Sequence, residues 1–316
     1  MSERSAAAAE VALATESAGY ARGLALVALA GVFWSLGGIL VRWIEAAGAW
    51  QIIFYRSLFL VLTLLAIIAL RHRGRLRAAF VAAGWNGVAA GACLAGGFIG
   101  FILALHHTTV ANTLFVLGAA PLFAALLGRW LLGEAVRRAT WLAIALASCG
   151  ITIMVGGGLV VGTVAGNLFA LGASLSFAMF SVLLRRGRDS DMLPCVGYAG
   201  MISAAIAALV VTGLPEPASP PLFAIGARDL ALCAAMGVVA LGLGLTCFTL
   251  GARHVPAVEM TLLSLTELVL GPLWVWLGVG EVPSGYTLLG GGIVLAAISY
   301  QALSGARRTR TPPGIV

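Results

Sequence analysis

The sequence predicts an all-α integral membrane protein whose ten transmembrane helices form two inverted five-helix repeats around a central cavity. Composition, the recurrence of long apolar runs and an internal duplication predict it. Of 316 residues, 61% are hydrophobic and only 10% are charged, and the mean hydropathy is +1.03. Soluble globular chains carry about 25% charged residues, so the medium around most of this chain is lipid.

A hydrocarbon core about 30 Å thick is crossed by roughly 20 apolar residues in a helix. Ten such runs lie near residues 23–44, 50–70, 80–105, 109–128, 139–156, 163–184, 193–212, 229–250, 257–279 and 285–303. They leave no room for a separate soluble domain. Residues 1–22 are Ala-rich and polar. They lack the apolar core and positive leader of a cleaved signal peptide and read as a disordered cytoplasmic tail. Residues 23–156 and 163–303 are the two repeats, and 304–316 a basic cytoplasmic tail.

All nineteen basic residues are Arg. With ten spans both termini share one side, and sixteen of the nineteen then fall on that side, in clusters such as RHRGRLR (71–77) and RRGR (185–188); Arg42 and Arg228 lie opposite and Arg56 lies within a span. The positive-inside rule makes the arginine-rich face cytoplasmic. The net charge of +7 matches anionic lipid and gives no support for a nucleic-acid partner.

The duplication is visible at an offset of 147 residues, where TTVANTLFVLGAAPLFAALLGRWLLGE (108–134) aligns with VPAVEMTLLSLTELVLGPLWVWLGVGE (255–281). Gly133-Glu134 falls on Gly280-Glu281, and Asn112 on Glu259. Earlier in each half, GVFWSLGGILVR (31–42) corresponds loosely to GASLSFAMFSVLLRR (172–186). Five spans per copy is an odd number, so the second copy enters the membrane upside down. Secondary transporters build two gates around a midplane site from such repeats.

These features together resemble the drug/metabolite transporter superfamily, in its bacterial EamA-like ten-helix group. The resemblance rests on Phe33-Trp34-Ser35 in helix 1, FYRS around Arg56, the Pro-containing fourth span ending LLGE (131–134), SFAMFSVLLRR in helix 6 and Gly280-Glu281 after helix 9, and it covers residues 23–303. It implies a secondary transporter in the bacterial inner membrane, moving a small metabolite, amino acid-like or otherwise amphiphilic, by alternating access. Export is the expected direction and uptake of a metabolite or vitamin the alternative. Substrate identity is not inherited, and a homodimer stays open. One departure is that Glu267 is followed by Leu268, with Pro272 four residues on, where the family often has Glu-Pro.

Glu267 sits in an otherwise apolar stretch. If the ninth span starts near Ala257, Glu267 lies about 15 Å deep, half the hydrocarbon thickness. An ionised carboxylate there costs at least ~3 kcal/mol unless it is protonated or faces a polar cavity. Glu267 is therefore the leading candidate for proton coupling or substrate binding; a packing Glu bonded between helices is the alternative. Glu259 lies eight residues earlier, about 80° beyond two helical turns, so both carboxylates can border one cavity, although Glu259 can equally be interfacial. Asn112 reads as a helix–helix hydrogen-bonding group in the equivalent place.

Pro121 and Pro272 interrupt the paired spans 4 and 9 and free the carbonyls of Leu117 and Leu268, as a binding site or an ordinary kink requires. Arg56 lies about 9 Å from the outer end of helix 2. Its side chain either snorkels to the interface, pairs with a carboxylate or attracts an anionic substrate group. Trp34 and Ser35 fall too deep for the interfacial aromatic belt, as a cavity wall or as a packing face.

No metal-ligand spacing occurs, and the five cysteines are scattered through apolar segments. Neither a P-loop nor an HExxH or GxSxG motif is present. No cofactor, metal or enzymatic activity is expected, and the driving force is then a gradient, with the proton as candidate ion.

Overall fold

In a computed structural model of the chain, residues 3–107, 113, 116–156, 164–213, 221–280 and 285–308 are described, and every element among them is helical. The first half comprises α1 (Glu3–Arg42), α2 (Ala49–Arg71), a short α3 (Leu76–Ala82), α4 (Gly84–His107), α5 (Ala120–Leu132) and α6 (Arg138–Gly156). The second comprises α7 (Val164–Arg186), α8 (Leu193–Gly213), α9 (Ala227–Ala235), which runs through a π-helical stretch (Met236–Leu243) into α10 (Gly244–Gly251), then α11 (Ala257–Ser264), α12 (Thr266–Val279) and α13 (Gly285–Arg308).

Seven of these stretches are long and apolar enough to cross a membrane, and they fall in the first, second, third, sixth, seventh, eighth and ninth expected spans. Three shorter apolar helices, Ala120–Leu132, Arg138–Ile153 and Leu288–Gln301, fall in the fourth, fifth and tenth. The segment expected to be a disordered tail is helical from Glu3. Its alanines, the best helix formers, let α1 continue backwards from the first span.

The packing repeats between halves. α4 lies against α7 and α8, and the continuous rod α9 to α10 lies against α1 and α2 in the same manner. α5 packs on α7 as α11 and α12 pack on α1, while α2 with α8 and α6 with α13 are pairs across the two halves. Two matching close approaches need glycine: a Cβ on Gly91 would lie 2.6 Å from Cβ of Tyr198, and one on Gly237 would meet the carbonyl of Arg56 and lie 2.7 Å from Cβ of Phe59. Without a hydrophobic drive between helices in lipid, such backbone proximity carries the association.

The helix ends meet at two opposite ends of the bundle. At the arginine end, His72 Nε2 lies 2.8 Å from Asp191 Oδ2, Arg185 Nε donates to Glu134 Oε1 at 3.0 Å and Arg185 Nη1 to the Arg253 carbonyl at 3.0 Å, and Arg137 Nη2 donates to the Ser304 carbonyl at 3.1 Å. At the other end, the Asp229 carboxylate accepts from the backbone N–H groups of Glu45, Ala46 and Ala47 at 3.2, 2.9 and 2.9 Å. There the buried Gln51 also donates to the Pro221 carbonyl at 2.7 Å. Thus α1 leaves the arginine end, where α7, its counterpart, finishes, so the two halves run in opposite senses.

Candidate functional site

A cavity of about 370 Å³ lies within the bundle, walled by α1, α2, α4, α7, the π-helical stretch and the α11–α12 break. It extends from Glu267 and Trp34 to Arg42, which is exposed at the last turn of α1. Four of the residues singled out in the sequence, Glu267, Arg56, Trp34 and Ser35, share this wall.

A break in the ninth span positions Glu267. α11 stops at Ser264 and α12 begins at Thr266, and tight turns close the gap, with Leu265 N–H donating to the Leu262 carbonyl at 3.2 Å and Leu268 N–H to that of Leu265 at 3.0 Å. The cause is local: the hydroxyls of Thr261, Ser264 and Thr266 donate to the carbonyls of Val258, Thr261 and Leu263 at 2.9, 2.7 and 2.7 Å, competing with the helical ladder. Pro272, expected to mark the interruption, instead lies within α12. The fourth span repeats the break, with Ala119 N–H bonded to the Val116 carbonyl at 3.1 Å and Leu122 N–H to that of Ala119 at 3.0 Å. Pro121 occupies the first turn of α5, where its missing N–H costs nothing, and Ser174 Oγ donates to the Leu117 carbonyl at 3.4 Å. Aligned on the break, with Ala119 on Leu265, Pro121 falls on Glu267, and at the sequence offset of 147 Ala120 does; in either register the first half carries no charge there.

Glu267 is half-buried and, among the described residues, has no hydrogen-bond or ion-pair partner. Arg56 is 3% exposed, which overturns the snorkelling reading. It reaches inward: Nη2 donates to the Phe98 carbonyl at 2.8 Å, and the guanidinium lies 5.4 Å from the Phe98 ring centroid. Its Nε is buried without a partner, and no carboxylate pairs with it among the described residues. The Phe98 carbonyl and ring hold it on that inward course.

Trp34 is buried against Phe177 and Phe248, ring centroids 5.6 and 5.1 Å away, with Phe180 stacked behind Phe248. This aromatic cluster closes the cavity toward the arginine end. Ser35 faces the cavity, with Oγ donating to the Val32 carbonyl at 2.6 Å and accepting from Trp274 Nε1 at 2.7 Å.

Glu259 does not reach the cavity, contrary to the expectation that both carboxylates border it. The break at Leu265 invalidates the helical rotation assumed between them. Glu259 lies in the first turn of α11 at the arginine end, 4% exposed, and accepts from Tyr20 at 2.6 Å. Asn112 lies outside the described residues. Phe98, Phe177 and the π-helical stretch were not singled out from the sequence; the glycines 237, 242 and 244 were the only available signal for the last.

The Asp191 carboxylate gathers His72, Arg71 and Arg253 and accepts the Leu193 N–H at 3.1 Å. Burial pushes its carboxyl up, but the His72 and Leu193 bonds and the two arginines outweigh this and hold it below the ordinary carboxylate range.

The fold is similar to that of a protein of known crystal structure, at a TM-score of 0.75 and 20% identity, over 90% of this chain and 98% of that one. A search of curated proteins finds no match. The profile of the EamA-like transporter family matches twice, over residues 21–156 and again over 164–300. Those two matches coincide with the two halves related above by packing, and the chain belongs to the EamA-like transporter family.

Proposed function

We propose that the protein is a secondary active transporter that moves a small amphiphilic, amino acid-like compound by alternating access. Its ten spans form two inverted five-span units. The arginine end and both termini face the cytoplasm of a bacterium, and the arrangement described is open to the outside. The carrying observation is that Glu267 and Arg56, of opposite formal charge, share one mostly apolar and aromatic cavity that reaches the bundle surface at Arg42. Ligand sites of this kind combine apolar walls with a few placed polar groups. Intramembrane ionisable groups mark substrate or proton pathways.

In this reading Arg56 receives an anionic group, Trp34, Phe98 and Phe177 pack the apolar body, and Glu267 binds either a cationic group or a proton. Ser35 shapes the wall through Trp274. Export is the net direction, a choice supported by family resemblance. Counterflow in proteoliposomes against a panel of amino acids and related metabolites, with internal pH monitored, tests it. Exchange of at least one panel compound is expected, with proton movement abolished in Glu267→Gln. Wild-type proton flux in that variant removes the coupling role, and no exchange of any compound removes the transport reading.

A further inference from the structure

The arginine end carries a set of contacts that the cavity does not use. Glu259 is 4% exposed, and its carboxylate is shared by groups from two other elements. Tyr20 Oη on α1 donates to Oε2 at 2.6 Å, and Arg137, in the turn before α6, places Nη1 3.9 Å from Oε1. Tyr20 and Arg137 belong to the first half and Glu259 to the second. A buried carboxylate needs such partners or water in their place. Parting of α11 from α1 and the α5–α6 turn, which is the opening of this end, would exchange those partners for water.

The two sites are linked by one rigid element. α1 runs without interruption from Tyr20 to Trp34 and Ser35, fourteen residues or about 21 Å along the axis. Near Tyr20 it sits tightly on the α10–α11 turn: a Cβ on Gly23 would lie 2.8 Å from both His254 Cβ and Val255 Cγ2, and one on Gly19 3.2 Å from His254 Nδ1.

We propose that Tyr20, Arg137 and Glu259 form a lock that keeps the arginine end shut while the cavity is open at the other end, with α1 as the rod joining lock to cavity wall. The proposal rests on the alternating-access reading above. Interfaces with two discrete packings convert such a local exchange of partners into a transition of the whole bundle.

Gly37 lines the cavity, and a Cβ there would meet nothing within 4 Å, so Gly37→Cys reports access without disturbing the wall. Labelling by a membrane-impermeant maleimide is measured in right-side-out and inside-out vesicles, with the chain lacking this substitution giving the background of the native cysteines. Gly37→Cys alone is expected to react from the side opposite the arginine end. Adding Glu259→Gln, or separately the milder Tyr20→Phe, is expected to raise labelling from the arginine side about tenfold and lower it from the other. Unchanged labelling in both variants overturns the lock. A rise from both sides reports a loosened bundle and overturns it too. No labelling of Gly37→Cys from either side overturns the cavity reading itself, and the lock falls with it.

Discussion

Trp274 Nε1 donates to Ser35 Oγ at 2.7 Å, fastening α12 to α1 at the wall of the cavity. The same hydroxyl donates to the Val32 carbonyl, so its single proton is committed and Ser35 meets a ligand with a lone pair at most. Ser35→Ala leaves the indole N–H without its acceptor, and a loss of about 1–3 kcal/mol is expected. Trp274→Phe removes the donor and keeps most of the apolar bulk, so a loss of about 1 kcal/mol is expected. Thermal unfolding of both variants in detergent checks the order.

Arg56 is a buried cation that bonds one carbonyl and has no carboxylate partner among the described residues. Desolvated charge without a counter-charge weakens a fold. Arg56→Met is therefore predicted to unfold at the same temperature or higher, by about 1 kcal/mol in stability, while counterflow falls to background. A variant that loses stability and keeps transport contradicts the assigned role.

Asp191 is held below its ordinary range by His72, Leu193 N–H, Arg71 and Arg253 against the opposing effect of burial. An acid depressed in the folded state stabilises it above the unfolded value, about 3.9, and that share is lost as pH falls through the lower folded value. Asp191→Asn is expected to cost about 1–3 kcal/mol at neutral pH, with the gap to the unmodified protein closing as pH falls below about 4. Unfolding curves across that range read it directly.

A methyl group at Gly237 collides with the backbone of α2 at Arg56 and Leu60 rather than with a flexible side chain. Gly237→Ala is expected to cost about 1–3 kcal/mol through overpacking and to displace Arg56 from the wall. Gly37→Ala, where a Cβ meets nothing, serves as the comparison and is expected to be neutral in the same unfolding assay.

The place of Glu267 within a long apolar stretch was legible because sequence order alone gives it. The relation of Glu259 to Glu267 was not, because it depends on rotation, and one turn of hydroxyl-to-carbonyl bonding at Thr261, Ser264 and Thr266 resets the phase. The reach of Arg56 was undetermined for another reason. A long cation six or seven residues from a helix end can turn either way, and its contacts with the Phe98 carbonyl and ring fix it.

By itself the sequence determined the lipid surroundings, the apolar spans, the duplication and the presence of a carboxylate within the ninth apolar stretch, since these follow from composition, length and periodic recurrence. Tertiary structure alone decided which side chains face the cavity, where the ninth span breaks and that Tyr20 closes on Glu259. The physical reason is that lipid is as apolar as a packed helix interface. Inward and outward faces of these helices are therefore written in the same residues, and contact between distant segments has to distinguish them.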